Sequence, residues 1–432
     1  MYDTPDLAVV DDDPPPVRRR ALRTIRAGFI QLLDCALLVT AREKGFAHEE
    51  GIDLQLAREA SWANIRDRIT VGHLDCAHML AGIPIASGLG LGNPVARMIA
   101  PMALGMNGNA ITVSLPLFER MAAAGARGDS APMAMARALR TVIDANREAG
   151  GDPLTFGMVY PFSCHNYELR YWLAAGGIHP DRDLRLVVIP PPLMVDYMRG
   201  GFIDGFCVGA PWNSIAVDEG LGRIVVTVPD LWRMSPEKVL GVRADWAGDN
   251  PDLLDSLIRA LAKAARWADD PANRDELAGL LADRGYVGAS AALLRPLLSG
   301  DIRLSPDGDM RRDGNFILFE RCAATFPWIS HALWIYSQMV RWGQITASPE
   351  AEAAAAATYR PDIYRRALAG TGITLPGASN KLEGSLQAPE PAGSNTGKLV
   401  LGPDAFFDGG VFDPDRLEDY IAGFPIHSRA GG

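Results

Sequence analysis

Five side chains scattered along this sequence could together hold one small anion: Trp62, His78, Asn109, His165 and Lys238. They offer an indole N–H, two imidazoles, a side-chain amide and an ammonium. With the free N–H groups of a helix start, such a set offsets the cost of stripping water from an anion. Each residue falls where an α/β fold exposes functional groups, at the carboxyl end of a strand or the start of a helix. Trp62 follows Ser61 at a predicted helix start, and His78 ends a predicted strand over 74–79. Asn107, Gly108 and Asn109 form a predicted turn where one lobe passes to the next. His165 and Asn166 open a helix. Lys238 follows Ser235-Pro236-Glu237, where the chain re-enters the first lobe. Plainer readings stand beside these. Trp62 reads equally as a core aromatic, His78 as a satisfied core histidine, Lys238 as a solvated surface lysine, and the asparagines as turn formers. The residue types alone reach a two-lobed α/β binding protein, with an anion as one candidate ligand, and stop there.

Other chemistries find no support. There is no Ser/His/Asp nucleophile arrangement, and the glycines of 88–92 (GLGLG) lack the spacing of a dinucleotide loop. The five cysteines are far apart and odd in number, with no CxxC pair and no Cys/His cluster. No metal, cofactor or catalytic residue is expected.

The elements that must position these groups alternate between strand and helix. Strands are predicted over 24–30, 52–57 and 74–79, and helices over 36–44, 62–71 and 82–89. Ser61 caps the second helix. After residue 110 the pattern resumes, with strands at 110–113, 154–160, 184–189, 206–208 and 223–228. Helices at 132–148 and 166–175 separate them, the latter stopped by Gly176-Gly177. A strand over 238–243 returns to the first sheet, and the chain is mainly helical from Asp252. This alternation implies mostly parallel sheets covered on both faces. The expected organisation is a first lobe from 23–109 and 230–370, and a second lobe over 110–229. A linker and arm over 371–432 pack back on the body, because a loose tail would not carry Phe406, Phe407, Phe412 and Tyr420.

Composition narrows the classes. The 432 residues are 48% hydrophobic and 22% charged, ordinary for a globular protein. The net charge of −10 argues against direct nucleic-acid binding. No apolar run is long enough for a membrane span. Residues 1–22, expected to be flexible, run from an acidic stretch through three prolines to Arg18-Arg19-Arg20. That order is the reverse of a secretory signal, and Asp34 disrupts the lipoprotein-like LLDC. The expectation is a cytoplasmic protein.

At these same residues the chain resembles the nitrate- and bicarbonate-binding components of ABC transporters, the NrtA/CmpA group. The likeness runs in order through REASWANIRD (58–67), AHML (77–80), NGNAITVS (107–114), His165-Asn166 with RYWLAAGG (170–177), VGAPWN (208–213), Pro236-Glu237-Lys238, RADW (243–246) and FPWISHALWIYSQMVRWG (326–343). The resemblance implies a periplasmic-binding-protein-like fold of type II, with two lobes and a ligand cleft between them. It implies nitrate or nitrite held by Trp62, Asn109, His165 and Lys238. Asn109 replaces the glutamine common in the family, and Ala210 replaces a glutamate of exported members. Joined to the unusual N-terminus, it implies a cytoplasmic nitrate/nitrite sensor of the NasS type. Such a sensor holds an RNA-binding antiterminator of the NasT type until the anion arrives, and so controls nitrate assimilation genes. A nitrate or bicarbonate transporter component is the alternative. An enzyme of the thiamin pyrimidine synthase type is the third reading, but its CCCFC motif is absent.

Overall fold

The computed structural model describes residues 21–92 and 96–428; the expected N-terminal segment lies almost wholly outside them. Eleven strands build the functional part: β1 (Arg23–Phe29), β2 (Ile52–Arg58), β3 (Cys76–Leu80), β4 (Met98–Ala103), β5 (Met106–Asn107), β6 (Asn109–Ser114), β7 (Thr155–Met158), β8 (Arg185–Val188), β9 (Gly205–Gly209), β10 (Gly222–Thr227) and β11 (Lys238–Arg243). One sheet has the order β2-β1-β3-β11-β4 and the other β10-β6-β9-β7-β8. Helices pack on both, giving two sheet-and-helix lobes.

Both sheets are mixed, which corrects the expectation of mostly parallel ones. β1 runs parallel to β2 and β3, but β11 is antiparallel to β3 and β4. In the second sheet β7 is parallel to β8 and β9, while β6 is antiparallel to β9 and β10. Alternating strands and helices do predict parallel pairs, because a parallel pair needs a crossover. The strands that change lobe have no such crossover, so they arrive from the opposite end and run the other way.

The expected helices are present, and Leu115–Ala123, Met194–Arg199 and Trp212–Asp218 are helices beyond them. In the helix Pro251–Asp269, Leu254, Leu257, Ile258 and Leu261 recur at intervals of three and four, and all are buried against the first lobe. Each such leucine contributes about 1.5–3 kcal/mol by leaving water. Met135, Leu139, Val142 and Ile143 of the helix Pro132–Glu148 cover the second sheet in the same way.

Two chain crossings join the lobes and lie side by side. The first descends from β4 through β5 to β6, and the second rises from β10 to β11. Asn107 ties them. Its N–H donates to Ser235 O at 3.0 Å, its Oδ1 accepts from Ser235 N at 3.0 Å, and its Nδ2 donates to Arg233 O at 2.9 Å and Asn315 O at 2.8 Å. Asn107 takes a left-handed φ of 66°, flanked by Gly105 at 140° and Gly108 at 92°. A Cβ on Gly105 would sit 2.7 Å from Leu318 O, so this tight reversal requires glycine there. Asn109, expected in the turn, is instead the first residue of β6 and fully buried.

The C-terminal stretch is anchored at several points. Phe406 stacks on Trp232 at 4.6 Å, and Phe407 N donates to Leu231 O at 2.9 Å, so the arm runs along the second crossing. Farther back, buried Glu383 accepts from Ser330 Oγ at 2.6 Å and pairs with Lys381, which also meets Asp404 at 3.1 Å. No helix among the described residues is long and apolar enough to cross a membrane.

Candidate functional site

Lys238 opens β11 opposite Leu80, the last residue of β3, and is 1% exposed. Its ammonium lies 2.9 Å from Asp34 Oδ2 and forms a second ion pair with Glu237 Oε1. Asp34 sits in the tight turn Leu33–Cys35 after β1. Its other oxygen, Oδ1, is 2.8 Å from His78 Nε2, whose residue lies in the fully buried strand β3. Trp62 leads the helix Trp62–Thr70, where Ser61 Oγ accepts from Asn64 N as expected of a cap. The Trp62 ring is 5.4 Å from the His78 ring and lies 5.4 Å from the Lys238 ammonium. These groups come from the first sheet and its helices.

The second lobe closes the cluster. The helix Cys164–Ala175 starts at the capping Ser163 and places His165 and Glu168 one turn apart. His165 Nε2 is 2.8 Å from Glu237 Oε1 across the lobe boundary. Glu168 accepts from Asn109 Nδ2 at 3.0 Å and from Ser235 Oγ at 2.8 Å. Gly209 stands where the lobes meet: a Cβ there would lie 3.2 Å from Asn109 Oδ1 and 3.7 Å from Asp34 Oδ2. All five residues singled out from sequence therefore fall in one buried cluster. His78 and Lys238, which also read as core or surface residues, are fully buried in it.

Burial and charge oppose each other at each group. Burial alone would raise the Asp34 carboxyl, but Lys238 and His78 outweigh it and hold it well below the usual carboxylate range. Glu237 is likewise lowered by His165 and Lys238 against its burial. Burial would lower the Lys238 ammonium, yet Asp34 and Glu237 raise it. Burial lowers both His78 and His165 despite their carboxylate neighbours. Glu168 goes the other way: burial, then repulsion from Glu237, pushes it up to about 8. At neutral pH the cluster thus holds Asp34 and Glu237 ionised, Lys238 charged, and both imidazoles neutral.

Several polar atoms in the cluster have no hydrogen-bond partner: Trp62 Nε1, Asn109 Oδ1, His78 Nδ1, both His165 ring nitrogens and Glu237 Oε2. A buried polar atom left unpaired costs about 1–3 kcal/mol. A small ligand with several acceptor oxygens would satisfy the indole, an imidazole and, after an amide rotation, Asn109. No group of three or more His, Cys, Asp or Glu side chains among the described residues is placed to hold a metal ion.

Asp34, Glu168, Glu237 and Ser235 went unmarked as site residues in the sequence. Glu237 precedes Lys238, and Glu168 lies one helical turn after His165, so a search for charged neighbours of the donors would find both. Asp34 reads only as the residue that disrupts LLDC, and nothing local marks it as a partner of Lys238.

The NMT1-like family model matches residues 19–282. The nitrate/nitrite binding protein NrtA of Synechococcus elongatus is 33% identical, covering 93% of this chain and 86% of that protein. The nitrate import ATP-binding protein NrtC of a Synechocystis species is 36% identical over 93% of this chain, which spans only 55% of the NrtC length. In three dimensions the crystal structure of the periplasmic nitrate-binding protein NrtA from Synechocystis superposes with a TM-score of 0.81 at 27% identity, covering 94% of this chain and 99% of that one. This chain belongs to the NMT1-like family and, within it, to the NrtA/CmpA-like group of nitrate- and bicarbonate-binding proteins.

Proposed function

We propose that this protein is a receptor that closes its two lobes on nitrate or nitrite. The observation that carries the reading is the convergence of buried, unpartnered polar groups from both lobes around Lys238. Trp62, His78, Asn109, His165 and Lys238 are the proposed ligand contacts, and the nitrate- and nitrite-binding relatives supply the anion. Nitrate has four heavy atoms, and a ceiling of about 1.5 kcal/mol per atom gives a Kd on the order of tens of micromolar. Calorimetry of the purified chain against nitrate, nitrite, bicarbonate and sulfate tests this. Saturable heat with nitrate or nitrite is expected, and a flat trace with both at millimolar concentration would overturn the reading.

The receptor's use is proposed as cytoplasmic sensing. The open form holds an RNA-binding antiterminator of the NasT type, and the closed, anion-bound form releases it. The chain itself touches no RNA, in keeping with its acidic charge. A second use is favoured by the names of the relatives, delivery of the anion to a transporter. Cell fractionation and co-purification with the antiterminator separate the two.

A further inference from the structure

Three carboxylates, Asp34, Glu168 and Glu237, share one buried cluster with a single ammonium, that of Lys238. With both imidazoles neutral, the cluster is net negative before any anion arrives. The excess is one charge if Glu168 holds a proton and two if it does not. A bound nitrate adds another negative charge in a site closed to water, where like charges are poorly screened. One of the cluster's own groups must offset it.

His165 is placed to do so. Its Nε2 lies 2.8 Å from Glu237 Oε1 but out of line for a hydrogen bond, and its Nδ1 has no partner. An imidazolium donates from both nitrogens. Its charge would complete an ion pair with Glu237 of the first lobe at that 2.8 Å separation, and the unpartnered Nδ1 would be free to donate to the ligand. His78 is less suited. Its Nε2 already meets Asp34, which Lys238 also neutralises, and both partners belong to the first lobe. Only a proton on His165 adds an ion pair that spans the two lobes.

We propose that anion binding here is proton-linked: closure on nitrate or nitrite takes up one proton, carried by His165 between Glu237 and the bound anion. This rests on the receptor reading above. The charged groups acting on His165 are Glu237, Lys238 and Asp34 from the first lobe; Glu168, Cys164, Cys207 and Tyr359 lie within reach of the same Glu237. Burial raises the Cys164 and Cys207 thiols and the Tyr359 phenol, so these stay neutral. In the anion-free protein burial holds His165 below its ordinary value. The anion favours the charged imidazole and raises it. Between those two values each anion brings in one proton, and affinity falls tenfold per unit rise in pH.

The test is calorimetry of the full chain with sodium nitrate at pH 7.5, in phosphate and in Tris, which differ in protonation enthalpy. Titrations at pH 6.5, 7.5 and 8.5 follow. Uptake of close to one proton per nitrate is expected, with Kd rising about tenfold per pH unit. Glu237→Gln removes one negative charge, so its proton uptake should drop and its Kd should flatten with pH. His165→Asn should bind at pH 6.5 with no linked proton, because Glu168 already holds its proton there in the free protein. Equal heats in both buffers with a pH-independent Kd would overturn the proposal, and undiminished uptake by His165→Asn would overturn the assignment to His165. Absence of any nitrate heat at all three pH values would instead sink the receptor reading, and this inference with it.

Discussion

Lys238 neutralises Asp34 and Glu237 at once, so its removal touches both folding and binding. Lys238→Ala leaves two buried carboxylates without a cation, a change that costs about 3–5 kcal/mol when one partner of a buried pair is lost. A lower unfolding midpoint is expected, along with nitrate affinity weakened by at least about 2 kcal/mol. Trp62→Phe is the contrast, because it keeps the ring and loses one unpartnered N–H. It should bind roughly tenfold more weakly with a nearly unchanged midpoint, equivalent to about 1.4 kcal/mol. Thermal melts and titrations side by side check both, and Lys238→Ala binding as well as the parent would remove Lys238 from the site. Glu168 gives a pH-dependent case. Its folded value near 8 lies above the ordinary 4.5, so its contribution to stability is complete below about pH 4.5 and is lost as pH rises through 8. Glu168→Gln copies the protonated carboxyl and should be more stable than the parent by on the order of 2 kcal/mol at pH 7. That advantage should vanish near pH 4, and melts at the two pH values decide it. Trp62 and His165 were legible in the sequence because they sit at helix starts, where α/β folds gather ligands; His78, expected at a strand end, lies in the middle of β3, and Asn109 and Lys238 open their strands. The carboxylates were less legible. Glu237 and Glu168 are marked locally only as neighbours of Lys238 and His165, and Asp34 joins them through tertiary folding alone.

The expected helices and most strands followed from apolar spacing and caps, as Ser61 and the paired glycines after Ala175 illustrate. Strand direction did not, because β11 looks like any other strand and its antiparallel entry is set by where the chain comes from. Asn109 was misplaced for a related reason. Asn-Gly-Asn reads as a turn, but the reversal is complete at Gly108, and Asn109 already pairs with Gly209 in the sheet. The aromatic arm was expected to return to the body, and its route along the second crossing is what makes it consequential. Phe406 lies among Trp232, Trp334 and Tyr171, so it braces the crossing, the helix Ile329–Arg341 and the helix that carries His165. Phe406→Ala should cost about 3–5 kcal/mol, as buried Phe-to-Ala changes do. A single cooperative melt shifted downward is expected. An unchanged midpoint would mean that the arm unfolds independently of the body.

For the whole molecule, the two-lobed architecture was legible from the order of elements, and the family likeness adds the anion. The proposed sensing function asks more of the fold, namely two states that the anion and a protein partner weigh differently. The crossings held by Asn107 are narrow, and the site residues lie on both sides of them, so lobe closure is the candidate two-state element. If the antiterminator binds the open form, nitrate must weaken that complex, and the partner must weaken nitrate binding by the same factor. A hundredfold effect requires a coupling of only about 2.7 kcal/mol. The expected result is a complex that co-purifies without anion and dissociates on adding nitrate or nitrite, with the antiterminator raising the apparent Kd for nitrate in proportion. Lys238→Ala, where it folds, should hold the partner and fail to release it. A complex unaffected by saturating anion, or one that forms only in its presence, would contradict release and leave delivery to a transporter as the reading that the relatives favour.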